Sequence, residues 1–279
     1  MNKLKKIGLF DTVMISFLVV FLLMVIMLLL SDVLYIFKDK ITFKEIIDII
    51  SSKDVVDGFI MSILSSSITL IFIIIFSIPV GYALSRYSFR GHSIINTMID
   101  VPIILPPVVI GISLLTFFGS PYGIALKAFL KEYNISVMSI IGIVLCQFLV
   151  SVSYCIRAVK TAFDEIDKDY ENIAMSLGCS KASSFFKVSL PLAKHGIIAG
   201  IIIAWARAIG VFGPLMVFVG TSPRVTVMPT AIWLQINIGN TEKSIIIALI
   251  MVLISSSVLA LAHFFMARSG RLSNNVTKN

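Results

Sequence analysis

Charged side chains are scarce in this sequence. They make up 14% of its 279 residues, whereas soluble domains carry about a quarter. Long hydrophobic runs take their place, since 58% of the residues are hydrophobic. These two features exclude an ordinary soluble domain, and several of the runs are long enough to cross a lipid bilayer as helices.

Sequence signatures of catalysis are also missing. The segment Gly239–Ser244 lacks the second glycine and the spacing of a nucleotide-binding loop, and zinc-protease and nucleophile-elbow motifs are absent. The three histidines, His92, His195 and His263, are isolated near the ends of hydrophobic runs. We therefore predict a non-catalytic chain with no cofactor and no metal of its own.

Cysteine is rare, with only three residues in the whole chain. Cys146 and Cys155 fall in one hydrophobic run, and Cys179 falls in a polar segment. No pair has the spacing of a metal site or of an exported disulfide framework. We interpret all three as packing residues.

Six hydrophobic segments have the length and composition of membrane spans. Because lipid offers no hydrogen-bond partners to the backbone, each segment must be helical. The sequence therefore predicts an all-α integral membrane protein with about six transmembrane helices. The first span has no small-residue cleavage site after it, so it is expected to be a retained anchor. The segments are Val13–Leu30, Phe59–Leu84, Val101–Phe118, Ile135–Ile156, Gly196–Val219 and Ser244–Met266.

The predicted organisation has three parts. An anchor helix with an external loop covers residues 1–58, a transmembrane domain covers 59–266 with its longest polar loop at 157–195, and a tail covers 267–279. Lysines and arginines are more frequent at both termini and in that polar loop than in the alternate loops, which predicts that these parts are cytoplasmic. The net charge of +8 follows from this topology, so no nucleic-acid partner is expected.

The polar loop carries the signals of two short helices. Asp169 is expected to cap the first helix, and Gly178 can end it in the left-handed conformation. Ser180 can cap the second helix, which is expected to stop before Pro191. The result would be a helix–turn–helix knob suited to docking into another protein. The alternative is an ordinary polar loop in which glycine and proline only mark turns.

The spacing of this knob resembles the coupling loop of ABC importer permeases. That loop reads Glu-Ala-Ala, three residues, Gly, nine residues, then Ile, any residue, Leu-Pro. Here nine residues separate Gly178 from Val188–Pro191. The opening triplet departs from the pattern, because Asn172–Ala174 reads Asn-Ile-Ala and Glu171 stands one place early. The resemblance implies a type I permease bundle with a cytoplasmic coupling helix.

The same resemblance implies which residues couple the chain to an ATPase. Ala174, Leu177 and Gly178 would supply packing and shape at the ATPase groove, and Glu171 would be a contact at its rim. The implied coupling residues are Glu171, Asn172, Ala174, Leu177, Gly178, Leu190 and Pro191.

The third predicted span is rich in proline. Pro102, Pro106, Pro107 and Gly111 interrupt a single hydrophobic segment, so a straight helix is not expected. Two interpretations stay open. The kinked helix lines a translocation path or hinges a gate, or packing simply fixes the kink.

The fifth predicted span combines small residues with a central cation. Arg207 is expected to lie on the face of the small residues and to point into the bundle, because eleven residues complete about three turns. It either attracts a transported anion or controls a gate, or it bonds to carbonyls or to Asp100 and stabilises the fold. The small residues recur every four positions, at Gly196, Gly200, Ala204 and Ala208.

A second resemblance narrows the class of importer. Ala204–Ala208 reads AWARA and Ile209–Gly213 reads IGVFG, and with Asp100–Gly111 they resemble the molybdate, tungstate and sulfate branch of importer permeases over residues 59–266. Val211 departs from the branch, where many members have glutamate. The resemblance implies path or gate residues at Pro106, Pro107, Arg207, Phe212 and Gly213.

The resemblance also implies partners in a cell membrane. A second copy of this chain would form a homodimer, two cytoplasmic ATPase subunits would hold ATP with Mg²⁺, and an extracytoplasmic binding protein would deliver the oxyanion. Which oxyanion is carried stays open. The alternatives are a secondary transporter or channel for small anions that is not coupled to ATP, and a membrane scaffold.

Overall fold

The computed structural model describes residues 9–38, 42–133, 136–220 and 226–276. All regular elements within these ranges are helical, as the hydrophobic runs predict. Residues 1–8 and 277–279, which include the predicted N-terminal lysines and the end of the predicted tail, lie outside the described ranges.

Thirteen α-helices follow one another along the described chain. A π-helical turn, Phe185–Ser189, joins the helix Lys181–Ser184 to the helix Leu190–Ile209 without a break. The helices are α1 (Leu9–Lys38), α2 (Phe43–Ile50), α3 (Lys53–Arg86), α4 (His92–Ile104), α5 (Pro107–Gly119), α6 (Pro121–Glu132), α7 (Ile140–Asp164), α8 (Asp169–Ser176), α9 (Lys181–Ser184), α10 (Leu190–Ile209), α11 (Gly213–Phe218), α12 (Met228–Asn237) and α13 (Thr241–Val276).

Five of these stretches are long and apolar enough to cross a bilayer, and the bent pair α4–α5 makes a sixth if its two helices count as one span. The prediction of about six spans is therefore confirmed. The five stretches are Phe10–Ile36, Lys53–Arg86, Ile140–Asp164, Lys181–Ile209 and Thr241–Ala260.

Helix α7 forms the centre of the bundle and packs mainly against α3 and α10. Its buried Gln147 accepts a hydrogen bond from Thr69 at 2.9 Å and donates one to Ser65 at 3.2 Å. On the other side, Gly200 of α10 approaches Ala158 closely. Small residues and paired polar groups are the usual means by which membrane helices associate.

The third predicted span, Val101–Phe118, is two helices rather than one kinked helix. Helix α4 ends at Ile104, α5 begins at Pro107, and their axes differ by 106°. Pro106 and Pro107 have no N–H to continue the ladder, and Leu105 takes the extended conformation favoured before proline, with ψ 135°.

The predicted bounds of the fourth and fifth spans need correction. Helix α7 begins after Ser139, whose side chain accepts from a first-turn N–H, and it continues through Arg157 to Asp164. The predicted polar loop therefore starts inside a helix. The fifth span begins at Lys181 and ends at Ile209 rather than crossing continuously to Val219.

All three segments predicted as external, 31–58, 120–134 and 220–243, contain helices, and α2 lies in the first of them. Helix α6 begins at Pro121, and the Ser120 hydroxyl caps it by accepting from the Gly123 N–H at 3.3 Å. Helix α12 begins with Met228–Pro229, and Trp233 on it packs against Phe212. The predicted external loops are therefore partly helical.

Candidate functional site

The knob, residues Asp169–Pro191, has the turn that its sequence predicts. Gly178 has φ +92°, the left-handed conformation expected after a helix C-terminus. Helix α8 begins at Asp169, so Asp169 lies in the first turn rather than at the predicted cap. The Asp167 carboxylate accepts from the Asp169 N–H at 3.0 Å, and Asn172 donates to the Asp169 carboxylate at 3.3 Å.

The second helix of the knob begins as predicted and ends differently. The Ser183 N–H donates to the Ser180 hydroxyl at 3.2 Å, which confirms the cap. The helix does not stop before Pro191. Instead, the Leu190 N–H bonds to the Phe185 carbonyl five residues back, and this wider turn accommodates a proline that has no N–H. The knob is therefore continuous with α10.

One face of α8 is apolar and exposed. Tyr170, Ile173 and Leu177 are 57%, 58% and 81% exposed, and their spacing of three and seven residues places them on one side of the helix. Ala174 lies half-buried beside them. Exposed apolar clusters of this kind mark surfaces that contact another molecule. Tyr170 and Ile173 were missed by sequence reasoning, although their spacing to Leu177 was visible.

The opposite face of α8 carries a buried carboxylate. Glu171 accepts hydrogen bonds from Arg86 Nε at 2.7 Å, from the Ser189 hydroxyl at 2.7 Å and from the Tyr82 hydroxyl at 2.9 Å. This placement corrects the interpretation of Glu171 as a contact at the rim, because its carboxylate faces the bundle. Arg86 and Tyr82 are more than 80 residues away along the chain, so no local pattern could reveal them.

The electrostatics of this cluster favour an ionised Glu171. Burial raises the pKa of the carboxyl, but hydrogen bonds from Ser189, Arg86 and Tyr82 lower it more. The pKa of Glu171 therefore lies below its ordinary value. The carboxylate is charged at neutral pH and is matched by the Arg86 guanidinium.

The predicted path residues other than Arg207 come together where two helices begin. Pro106 precedes α5 and Phe212 precedes α11. A Cβ on Gly213 would approach Val108 Cγ2 to 2.8 Å, so the two helix starts are in contact. Phe212 packs against the Trp233 ring at 5.6 Å.

Further along the same two helices, glycine again permits close contact. A Cβ on Gly111 of α5 would lie 2.8 Å from the Pro214 backbone of α11. The predicted path residues Pro106, Pro107, Phe212 and Gly213 therefore form one cluster at the breaks of two membrane segments.

Arg207 does not point into the bundle as predicted. Its side chain is exposed on the surface of the described chain, with its guanidinium 5.8 Å from the centre of the Tyr154 ring. Asp100 is not its partner, because that carboxylate bonds to Arg157. The reason is geometric. Residues four positions apart are rotated by about 40° around the helix axis. The row of small residues that starts at Gly196 therefore winds around α10, and at Ala208 it no longer faces the same side as Arg207.

Comparison with known proteins identifies similar chains. Residues 77–271 match the family described as the inner membrane component of binding-protein-dependent transport systems. A probable molybdenum ABC transporter permease protein of Haloferax volcanii is 35% identical over 202 residues, which cover 72% of each chain. The molybdate/tungstate transport system permease protein WtpB of Methanocaldococcus jannaschii is 30% identical over 252 residues, covering 90% of this chain and 96% of that protein.

The fold is also similar to that of a solved transporter. In the crystal structure of a bacterial alginate ABC transporter with its alginate pentasaccharide-bound periplasmic protein, one chain superposes with a TM-score of 0.73. The match covers 92% of this chain and 95% of that chain at 14% sequence identity. At this identity the likeness concerns the fold alone.

Proposed function

The chain belongs to the family of inner membrane components of binding-protein-dependent transport systems, and we propose that it carries an oxyanion inward as the permease of an ATP-binding-cassette importer. Molybdate or tungstate is the favoured cargo, because relatives with those names are similar over most of this chain, with sulfate as the further candidate. The chain itself is non-catalytic, and a separate cytoplasmic ATPase subunit holds ATP and Mg²⁺.

The exposed apolar face of α8 carries this proposal. A helix with three large exposed apolar residues, held on a membrane bundle by buried contacts on its other side, is suited to a groove on a partner protein. Asn172, Ala174, Leu177 and Gly178 form the contact surface for the ATPase. Leu190 and Pro191 connect that surface to α10 through the π-helical turn.

The position of Arg207 supports a path between two copies of the chain. A cation facing hydrocarbon would cost about 2.5–3.5 kcal/mol or more, so intramembrane arginines normally face protein or water. The exposed guanidinium therefore faces a second copy or a water-filled path, where it attracts the oxyanion. The breaks at Pro106–Pro107 and Phe212–Gly213 form the gate beside this path.

The transport cycle follows from two states of the dimer. ATP closes the two ATPase subunits, the two knobs follow, and the bundles rock between inward-facing and outward-facing states. An extracytoplasmic binding protein delivers the anion to the outward-facing state. ATP drives this change only through its different affinity for the two states. The excess of basic residues predicts that both termini and the knob are cytoplasmic.

Purification of the tagged chain from its native membrane tests the proposal. We expect an ATPase to co-purify with the wild type and with Leu177→Met, and to be lost with Leu177→Asp, because Leu177 is exposed and its replacement leaves the fold intact. With the wild-type complex in proteoliposomes, molybdate should stimulate ATP hydrolysis when the binding protein is present. Uptake of the anion without ATP would instead indicate a secondary transporter.

A further inference from the structure

A buried cluster links the knob to the bundle at a second place besides its chain connection to α10. Arg86, the last residue of α3, donates from Nε to Glu171 at 2.7 Å. The same guanidinium donates to the Phe163 carbonyl at 2.9 Å and to the Ile166 carbonyl at 3.1 Å. The Phe163 carbonyl lies in the last turn of α7 and also accepts from the Ile166 N–H at 3.1 Å, and the Ile166 carbonyl lies two residues past the end of that helix. Arg86 thus joins α3, α7 and α8.

Glu171 extends the same cluster to the π-helical turn. Its carboxylate accepts from Ser189 in that turn as well as from Arg86 and Tyr82 of α3. Its backbone carbonyl accepts a longer hydrogen bond, at 3.5 Å, from the Ser184 hydroxyl of α9. One residue of α8 is therefore bonded to α3, to α9 and to the π-helical turn.

The cluster is largely buried at the edge of a small pocket, and aromatic rings pack around it. The side chains of Arg86 and Glu171 are only 6% and 11% exposed. The Tyr82 ring packs edge-on against Phe163 at 5.2 Å and against Phe185 at 4.7 Å. Separating a buried ion pair leaves two uncompensated charges. Breaking the pair therefore costs much more free energy than moving the helices that carry it as one unit.

We propose that Glu171 and Arg86 are positioning residues that transmit the displacement of α8 to the ends of α3 and α7. This inference rests on the proposed function, since the displacement comes from the ATPase. Without the pair, the direct chain connection from α8 to α7 is residues 165–168, which form no regular helix and would absorb part of the movement. Neither residue contacts the ATPase in this account, because the exposed face of α8 does so.

The test compares uptake with ATP hydrolysis in the complete transporter. The variants are Arg86→Ala, Glu171→Ala and Tyr82→Phe, which removes one hydroxyl and keeps the packed ring. Asp169→Asn is the matched control, because it alters an exposed carboxylate on the same helix. Each complex is purified with its ATPase, reconstituted with the binding protein, and supplied with molybdate and ATP.

We expect the ATPase to co-purify with all of these variants. Molybdate imported per ATP hydrolysed should fall roughly tenfold for Arg86→Ala and Glu171→Ala, in the range of ordinary coupling between sites, and less for Tyr82→Phe. The control should match the wild type. If Arg86→Ala fails to fold, the smaller loss for Tyr82→Phe still tests the proposal.

Three results would overturn the inference. Loss of the ATPase with Glu171→Ala but not with Arg86→Ala would make Glu171 a contact residue. Lower protein yield with an unchanged ratio of uptake to hydrolysis would make the pair merely structural. Normal coupling in all variants would leave the pair without a role. Failure of the proposed function differs from these, because the wild-type chain would then bring down no ATPase.

Discussion

The burial of individual side chains at the knob depends on partners far away in the sequence as much as on neighbouring residues. Glu171 stands in a polar stretch that reads as a surface helix, yet Arg86 and Tyr82 draw its carboxylate inward. Leu177, six residues further along, is hydrophobic and is 81% exposed. A purely local reading by polarity would place both residues the wrong way round.

The ionisation of Glu171 predicts a dependence of stability on pH. Because the pKa of the folded state is below the ordinary value of 4.5, the stabilisation is fully present above about pH 4.5 and is lost as the pH falls through the lower folded value. Thermal unfolding of the purified protein should show a constant difference between wild type and Glu171→Gln from about pH 7 to 5, and a smaller one in stronger acid. A difference that already shrinks near pH 6 would indicate a raised pKa and contradict the hydrogen-bonded arrangement.

Replacement of Gly178 should cost free energy through the backbone conformation and not through a steric clash. A Cβ there would meet nothing within 4 Å, but φ is +92°. Gly178→Ala should therefore destabilise the knob by about 1–2 kcal/mol, and Gly178→Asn by less, because asparagine tolerates this conformation. Limited proteolysis of the knob in the purified protein would measure the change. Gly178→Asp should still insert in the membrane, but it should uncouple transport from ATP hydrolysis.

Gly91 provides a control for that experiment. It has φ +90°, open space around it and a place before α4, outside the chain segment that forms the knob. Gly91→Ala should carry a similar backbone cost while leaving coupling to the ATPase intact. Equal uncoupling by both variants would show that general destabilisation, rather than the turn of the knob, is responsible.

Helices α7 and α10 depend on a close approach between their backbones. A Cβ on Gly200 would lie 2.6 Å from the Ala158 Cβ, so Gly200→Ala should destabilise the protein by about 1–3 kcal/mol through overpacking. The thermal unfolding midpoint of the purified protein measures this cost. Gly119→Ala is the matched control, because nothing lies within 4 Å of a Cβ at that glycine.

A compensating change separates this contact from other effects. Adding Ala158→Gly to Gly200→Ala removes the methyl group that the new side chain meets, so the double variant should regain stability. A double variant no more stable than Gly200→Ala would show that the close approach is not the cause.

The break between α4 and α5 shows that one continuous hydrophobic run can form two separate helices. Hydrophobicity runs without interruption through residues 101–118, and it predicts one span. Two adjacent prolines remove two N–H donors, and the chain turns by 106° between the helices. The adjacent prolines predict that a break occurs here, but they do not specify the angle between α4 and α5.

The orientation of the whole chain in the membrane can be tested with its native cysteines. Cys146 and Cys155 are fully buried, whereas Cys179 in the knob is partly accessible. A membrane-impermeant thiol reagent should therefore label the protein in inverted vesicles and not in intact cells. Labelling should disappear in Cys179→Ser and should decrease when the ATPase is bound. Labelling of intact cells would place the knob outside and contradict the predicted topology.

Much of the architecture follows from the sequence by itself. Hydrophobic length determined that the chain crosses a membrane as helices, because an unpaired backbone is too costly in lipid. The turn at Gly178 and the cap at Ser180 also followed from sequence, since both depend on residues within one helical turn. The spacing from Gly178 to Pro191 was sufficient to indicate the family.

Only the tertiary structure decided which side chains meet. The pairing of Arg86 with Glu171 joins positions far apart in the chain, and the exposure of Arg207 depends on how α10 turns against α7. The continuation of the helix through Pro191 required a π-helical turn that no local preference predicts. Local rules act over about one turn of helix, whereas these features arise from packing between helices, which sequence spacing alone does not specify.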